Sequence, residues 1–152
     1  RSPEVAELAC KAGVKTILHS LPGRNDTVRL GLEALLSELP GLAGCIFLPG
    51  DQPLLRKESL RAMARDFSAL DEKERAILRL GFRAEDGTER LGSPVLFGSR
   101  YFGALCSLPE GKGGGVVIRR HPESVQAVYA ARQEELEDAD TVEELERLRK
   151  LL

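Results

Sequence analysis

No stretch limits the folding choices of this chain as much as Cys45-Ile46-Phe47-Leu48-Pro49-Gly50-Asp51-Gln52-Pro53-Leu54-Leu55. A short apolar run closed by Pro and Gly is the pattern of a fully buried central strand. The run ends in an acidic residue held in a tight turn. In an open α/β sheet, ligands bind outside the carboxyl ends of the strands. Asp51 therefore either meets a metal ion or phosphate there, or caps the helix that follows.

The segments on either side set the class of fold. Ser2-Pro3-Glu4 is a helix start, with Ser as N-cap, Pro in the first turn and an acid at the positive end of the dipole. Val5, Leu8, Ala9 and Ala12 then recur at helical spacing, and Gly13 ends the pattern. Val14-Lys15-Thr16-Ile17-Leu18-His19 predicts a short strand, and residues 20–26 a loop of turn formers. From Thr27 the stripe Val28, Leu32, Leu35, Leu36 and Leu39 predicts an amphipathic helix stopped by Pro40-Gly41. Leu60, Met63, Ala64 and Phe67 stripe the next one. Strand and helix alternating in this way predict βαβ units and a parallel sheet.

The second half changes character. Residues 76–83 and 93–97 predict two strands around an Asp86-Gly87 turn, the second antiparallel at one edge of the sheet. Tyr101, Phe102 and Leu105 open a short helix, residues 116–120 form another, and residues 124–130 are a strand. Thr141-x-x-Glu144 is a capping box for a closing helix striped by Val142, Leu145, Leu148 and Leu152. The expected fold is thus α/β, a three-layer, mostly parallel twisted sheet with an antiparallel edge.

At 152 residues, 42% apolar and 30% charged, the chain suits one ordinary globular domain. A net charge of −2 gives no reason to expect nucleic acid or an anionic membrane as partner. Cys10, Cys45 and Cys106 lie far apart among apolar neighbours and read as buried thiols of a reducing compartment, not as a disulfide frame or a zinc site. With no apolar run of membrane-spanning length and no signal peptide in view, the expected location is the cytoplasm. His19 and His121 read as ordinary surface or strand-end residues.

Three stretches together resemble one family. Leu-Pro-Gly-Asp-Gln-Pro-Leu (48–54) is similar to the metal-binding strand end of nucleotidyltransferases related to molybdenum cofactor cytidylyl- and guanylyltransferases. Gly92-Ser93-Pro94-Val95-Leu96-Phe97 is similar to the family's Gly-His-Pro-Val-Leu-Phe, and residues 136–145 to its closing Asp-Ile-Asp-Thr-Pro-Glu-Asp-Leu. Ser93 stands where the family often carries His, so the role of that His is not carried over. The family's first strand and its glycine-rich Arg/Lys loop have no counterpart in these residues. The expectation is a single nucleotidyltransferase-like domain over 1–152 that lacks its natural N-terminus. A chain so shortened bares a strand edge, which invites homo-oligomer formation.

The resemblance implies a magnesium-dependent transfer of CMP from CTP (or of GMP from GTP) to molybdopterin or a similar phosphorylated acceptor, with release of pyrophosphate. Asp51 and Asp140 are then the catalytic metal ligands, with Asp138 in reserve. Magnesium prefers hard oxygen donors and is commonly held by one or two carboxylates plus substrate phosphates. Read without the resemblance, the two aspartates are helix caps. Arg24, Thr27, Gly50 and Asp51 are the implied nucleotide contacts. Gln52, Pro53, Gly92, Ser93, Lys112 and Gly113 are the implied substrate contacts, with Gly115 where the family has Arg. Two readings stay open beside this one. One is a non-catalytic module of the same fold that binds a nucleotide or protein partner; the other keeps the chemistry but uses a sugar phosphate or methylerythritol phosphate as acceptor.

Overall fold

The computed structural model describes residues 2–151. They fall into two compact units, residues 2–42 with 101–120 and residues 43–100 with 121–151.

The first unit is helical. Helix α1 (Pro3–Lys11) starts as its sequence dictates: Ser2 Oγ accepts the Val5 N–H at 3.3 Å, and Pro3 fills the first turn. Gly13 follows its C-cap at φ +73°, a left-handed conformation that glycine adopts without strain. Residues 14–19 form no strand. Val14, Ile17 and Leu18 stay exposed, and within the unit no other strand offers a ladder to pair with. Helix α2 (Arg24–Glu38) begins three residues before the expected Thr27. Gly23 is its N-cap, and Asp26 Oδ2 accepts the Gly23 N–H at 3.2 Å. Leu32 is buried, and the short α4 (Phe102–Cys106) packs beside α2 with Phe102 and Leu105 turned inward. A last helix, α5 (Gly115–Arg120), buries Val117.

The second unit holds a four-stranded sheet in the order β1-β3-β2-β4. Its strands are β1 (Gly44–Phe47), β2 (Ile77–Arg83), β3 (Glu89–Gly98) and β4 (Val125–Tyr129). β2 and β4 are parallel, and β3 runs antiparallel to both β1 and β2. Three strands therefore share one direction, as an α/β fold of the expected type requires. Two placements differ from expectation. The antiparallel strand lies inside the sheet, between β1 and β2, because the tight turn at Asp86-Gly87 folds it directly onto β2 while its other edge takes β1. β1 is in turn an end strand of the described sheet, half-buried and four residues long, rather than a fully buried central one. The turn itself behaves as read, with Gly87 at φ +86° and Asp86 Oδ1 accepting the Thr88 N–H at 2.9 Å.

Helix α3 (Lys57–Ser68) closes the core over this sheet. Met63 and Phe67 pack with Leu78, Leu80, Leu96, Val128 and Leu136, and Met63 is wholly shielded from solvent. Burying such side chains stabilises the unit by about 1.5–3 kcal/mol each. Helix α6 (Val142–Arg149) opens with the expected box: Thr141 Oγ1 accepts the Glu144 N–H at 3.1 Å, and Glu144 Oε2 accepts the Thr141 N–H at 3.0 Å. Leu152, the last residue of its stripe, lies outside the described residues. Among the described residues, no helix is long and apolar enough to cross a membrane.

Candidate functional site

Asp51 sits where β1 gives way to a turn, exposed, five residues before the α3 N-cap Arg56. It therefore does not cap α3. Its backbone carbonyl accepts the Ala139 N–H at 2.8 Å, which ties the turn after β1 to the segment before α6. Beside this bond, Gln52 Nε2 donates to Asp138 Oδ1 at 3.0 Å. Asp140 follows one residue after Ala139, exposed in the same segment. The cap of α6 is Thr141, not Asp140, whose backbone N–H goes to Glu144 Oε2 at 3.0 Å. Neither Asp51 nor Asp140 is spent on a helix end. Among the described residues, neither carboxylate has a hydrogen-bond or ion-pair partner.

This donor set fits a hard divalent cation. It offers two free carboxylates on turns pinned to one another, with no soft ligand beside them. Among the described residues, no group of three or more His, Cys, Asp or Glu is placed to hold a metal ion by itself. Magnesium commonly takes one or two protein carboxylates and completes its shell with substrate phosphates. Asp138 is less available, since Gln52 already holds one of its oxygens. The side-chain amide oxygen of Gln52, Oε1, is buried without a partner. Gly50 and Pro53 flank the turn and are exposed. Gly92 and Ser93 lie on β3, half-buried, where the Gly92 carbonyl accepts Arg79 Nε at 3.2 Å.

The first unit brings the other predicted residues together. Asn25 Oδ1 accepts the Gly111 N–H at 2.9 Å, so the first turn of α2 holds the 111–115 loop. The Arg24 side chain runs so close to Gly113 that a Cβ there would come within 2.9 Å of Arg24 Cδ. Glycine at 113 is thus what lets the two segments approach. Lys112 is exposed, and its ammonium has no ion pair among the described residues. Asp26 is engaged twice, by the Gly23 N–H and by Arg29 Nη2 at 3.3 Å. Gly115 starts α5. Thr27, on the first turn of α2, is bonded to His19 Nε2 at 3.0 Å, while His19 Nδ1 is buried without a partner.

His19, expected at the end of a strand, folds back eight residues onto the Thr27 hydroxyl, and no local pattern announces that contact. Glu135 carries no signal either. That residue is buried against α3, yet in sequence it belongs to an undistinguished acidic run.

Known structures share this fold. Rv0371c from Mycobacterium tuberculosis H37Rv is similar at a TM-score of 0.67 and 26% identity, over 96% of this chain and 72% of that chain. A structure of the same mycobacterial protein in complex with manganese is similar at a TM-score of 0.59 and 22% identity, over 97% of this chain and 74% of that one. The latter likeness speaks for the fold alone. No curated protein matches the chain significantly. The sequence profile of the MobA-like NTP transferase domain matches residues 1–127, and the chain belongs to that family.

Proposed function

We propose that this protein is a magnesium-dependent nucleotidyltransferase that moves CMP from CTP to a phosphorylated acceptor, with molybdopterin the leading candidate. The observation that carries the reading is the pinned pair of turns that leaves Asp51 and Asp140 unpartnered. An NTP transferase needs carboxylates to hold a cation but no protein nucleophile, because the acceptor itself attacks. An acceptor phosphate oxygen forms the new bond to the α-phosphorus, and the bond to the departing pyrophosphate breaks in line. The cation, when bound, neutralises the triphosphate and the leaving group. Asp51 and Asp140 are its protein ligands. The manganese complex of the mycobacterial relative supports a divalent ion at this fold.

The remaining residues bind and orient. Lys112 offers a point charge to a phosphate, and Arg24 a second cation. Gln52, Pro53, Gly92 and Ser93 are the acceptor contacts. Thr27 and the backbone of residues 23–27 read the base edge. Guanine needs an acceptor for its exocyclic amine, usually a carboxylate. Asp26, the carboxylate in this segment, is already held by the Gly23 N–H and by Arg29. Cytosine, with an amine donor beside ring and carbonyl acceptors, asks only for a hydroxyl and carbonyls. CTP is therefore favoured over GTP.

The test is a competition assay with magnesium, molybdopterin and each nucleoside triphosphate in turn, reading pyrophosphate release and labelled acceptor. The expected result is turnover that depends on the metal and is highest with CTP. Preference for GTP or a deoxythymidine nucleotide overturns the base assignment. Tight CTP binding without turnover on any acceptor, sugar phosphates included, converts the reading to a nucleotide-binding module.

A further inference from the structure

Glu135 is the most deeply buried charged side chain among the described residues, at 1% exposure in the short 3₁₀ turn Gln133–Leu136. Its Oε2 accepts from the Ser59 hydroxyl at 2.5 Å and from the Arg56 N–H at 3.2 Å. Ser59 is itself buried. Arg56 is the N-cap of α3, and its side chain caps nothing. The carboxylate from far along the chain does that work instead, an anion set at the positive end of a helix. Taking a carboxylate out of water costs several kcal/mol unless its bonds offset this. Charge-assisted bonds to a hydroxyl and an amide do so for one oxygen. The other oxygen, Oε1, has no partner. Glu135 borders a cavity of about 220 Å³ shared with Leu54, Arg56, Arg132, Glu134 and Leu151. A cap alone is met more cheaply by Ser or Asp at position 56. The position of Glu135 relative to the metal turns explains why a buried acid stands here.

Three links join the same two segments. The Asp51 carbonyl meets the Ala139 N–H, Gln52 meets Asp138, and Arg56 with Ser59 meets Glu135. As the number rises on one side it falls on the other, so the links are rungs between antiparallel segments. The first two rungs lie beside Asp51 and Asp140. The Gln52–Asp138 rung is exposed and open to water's competition. The third rung is buried at Ser59 and part-buried at Arg56. It anchors the far end of both segments, with Arg56 five residues from Asp51 and Glu135 five residues from Asp140.

We propose that Glu135 is a positioning residue for the divalent cation, fixing the spacing of Asp51 and Asp140 without touching the ion. This rests on the reading of those two aspartates as its ligands. Residues that orient metal ligands from behind typically cost about 10–100-fold in metal affinity when removed.

The experiment is titration of the full chain with manganese alone, following free Mn²⁺ by electron paramagnetic resonance, with amide hydrogen exchange on the metal-free protein. Glu135→Ala is expected to weaken manganese about tenfold or more. Exchange should quicken in residues 50–56 and 137–141 while α3 and the sheet keep their protection. Glu135→Gln retains an oxygen for Ser59 and Arg56 and should bind nearly as the parent does. Ser59→Ala removes one donor and keeps the Arg56 N–H bond, and should fall between the two. Asp51→Asn is the control for the site itself. Loss of affinity in Asp51→Asn, with parent-like affinity in folded Glu135→Ala or in Ser59→Ala, overturns the role of Glu135 alone. Parent-like affinity in Asp51→Asn overturns the ligand assignment and the positioning role together.

Discussion

Helices α1 and α3 carry comparable apolar stripes and meet opposite fates. In the first unit α1 buries no residue, and Val5 and Leu8 remain 63% and 66% exposed. In the second, α3 buries Met63 to 0% exposure and sets Phe67 beside it. The difference is the layer on offer. α3 lies against a sheet whose inward residues Leu78, Leu80, Leu96 and Val128 complete a core. Within its own unit α1 meets no such surface. An amphipathic pattern states what a helix is able to bury; a second layer decides whether it does.

This contrast predicts a graded response to mutation. Met63→Ala should cost about 2–5 kcal/mol of unfolding free energy by chemical denaturation, the range for a fully enclosed side chain. Gly98→Ala comes next, at about 1–3 kcal/mol, because a Cβ there would collide with the Glu74 carbonyl, which is backbone and yields poorly. Leu8→Ala should stay within about 0.5 kcal/mol, as surface changes do. A loss at Leu8 as large as that at Met63 would show that α1 has a buried face after all.

The smallest effect concerns the thiols. Burial raises the Cys45 thiol above its usual value, whereas Cys10 is exposed. Below the unfolded value Cys45 is protonated in both states, and its burial contributes in full. As pH rises beyond that value, the unfolded chain ionises first and the contribution is lost. Stability should therefore sag mildly on the alkaline side, and Cys45→Ala should lessen the sag. Iodoacetamide labelling read by mass spectrometry should mark Cys10 before Cys45 at every pH. The reverse order contradicts the burial assigned to β1.

The same contrast explains what could be read from the sequence. Features closed within a few residues were legible: the Ser2 cap, the Asp86-Gly87 turn and the Thr141–Glu144 box all formed as their chemistry dictates. So was α/β alternation, since it depends on periodicity alone. Residues 14–19 have strand composition, but a strand exists only by pairing, and composition does not say whether a partner is near. The place of β3 between β1 and β2 is likewise a long-range fact. At the candidate site, Asp51 and Asp140 stood out through their turns and the resemblance. The rungs that pin those turns join residues about 80 apart, and no local pattern announces them. His19 against Thr27 was hidden for a similar reason, since a coil carries no period from which to read its folding back.

The central claim is that Asp51 serves chemistry rather than structure. The direct measurement is nucleotidyl transfer by Asp51→Asn beside the parent protein, with magnesium and CTP, and thermal unfolding recorded on the same samples. Asp51 is exposed, caps no helix and uses only its backbone carbonyl to hold the fold. Turnover is expected to fall by about two orders of magnitude or more, the scale set by losing one electrostatic contact to the transition state, with an unchanged melting temperature. Near-normal turnover, or loss of activity that merely follows loss of folding, would contradict it.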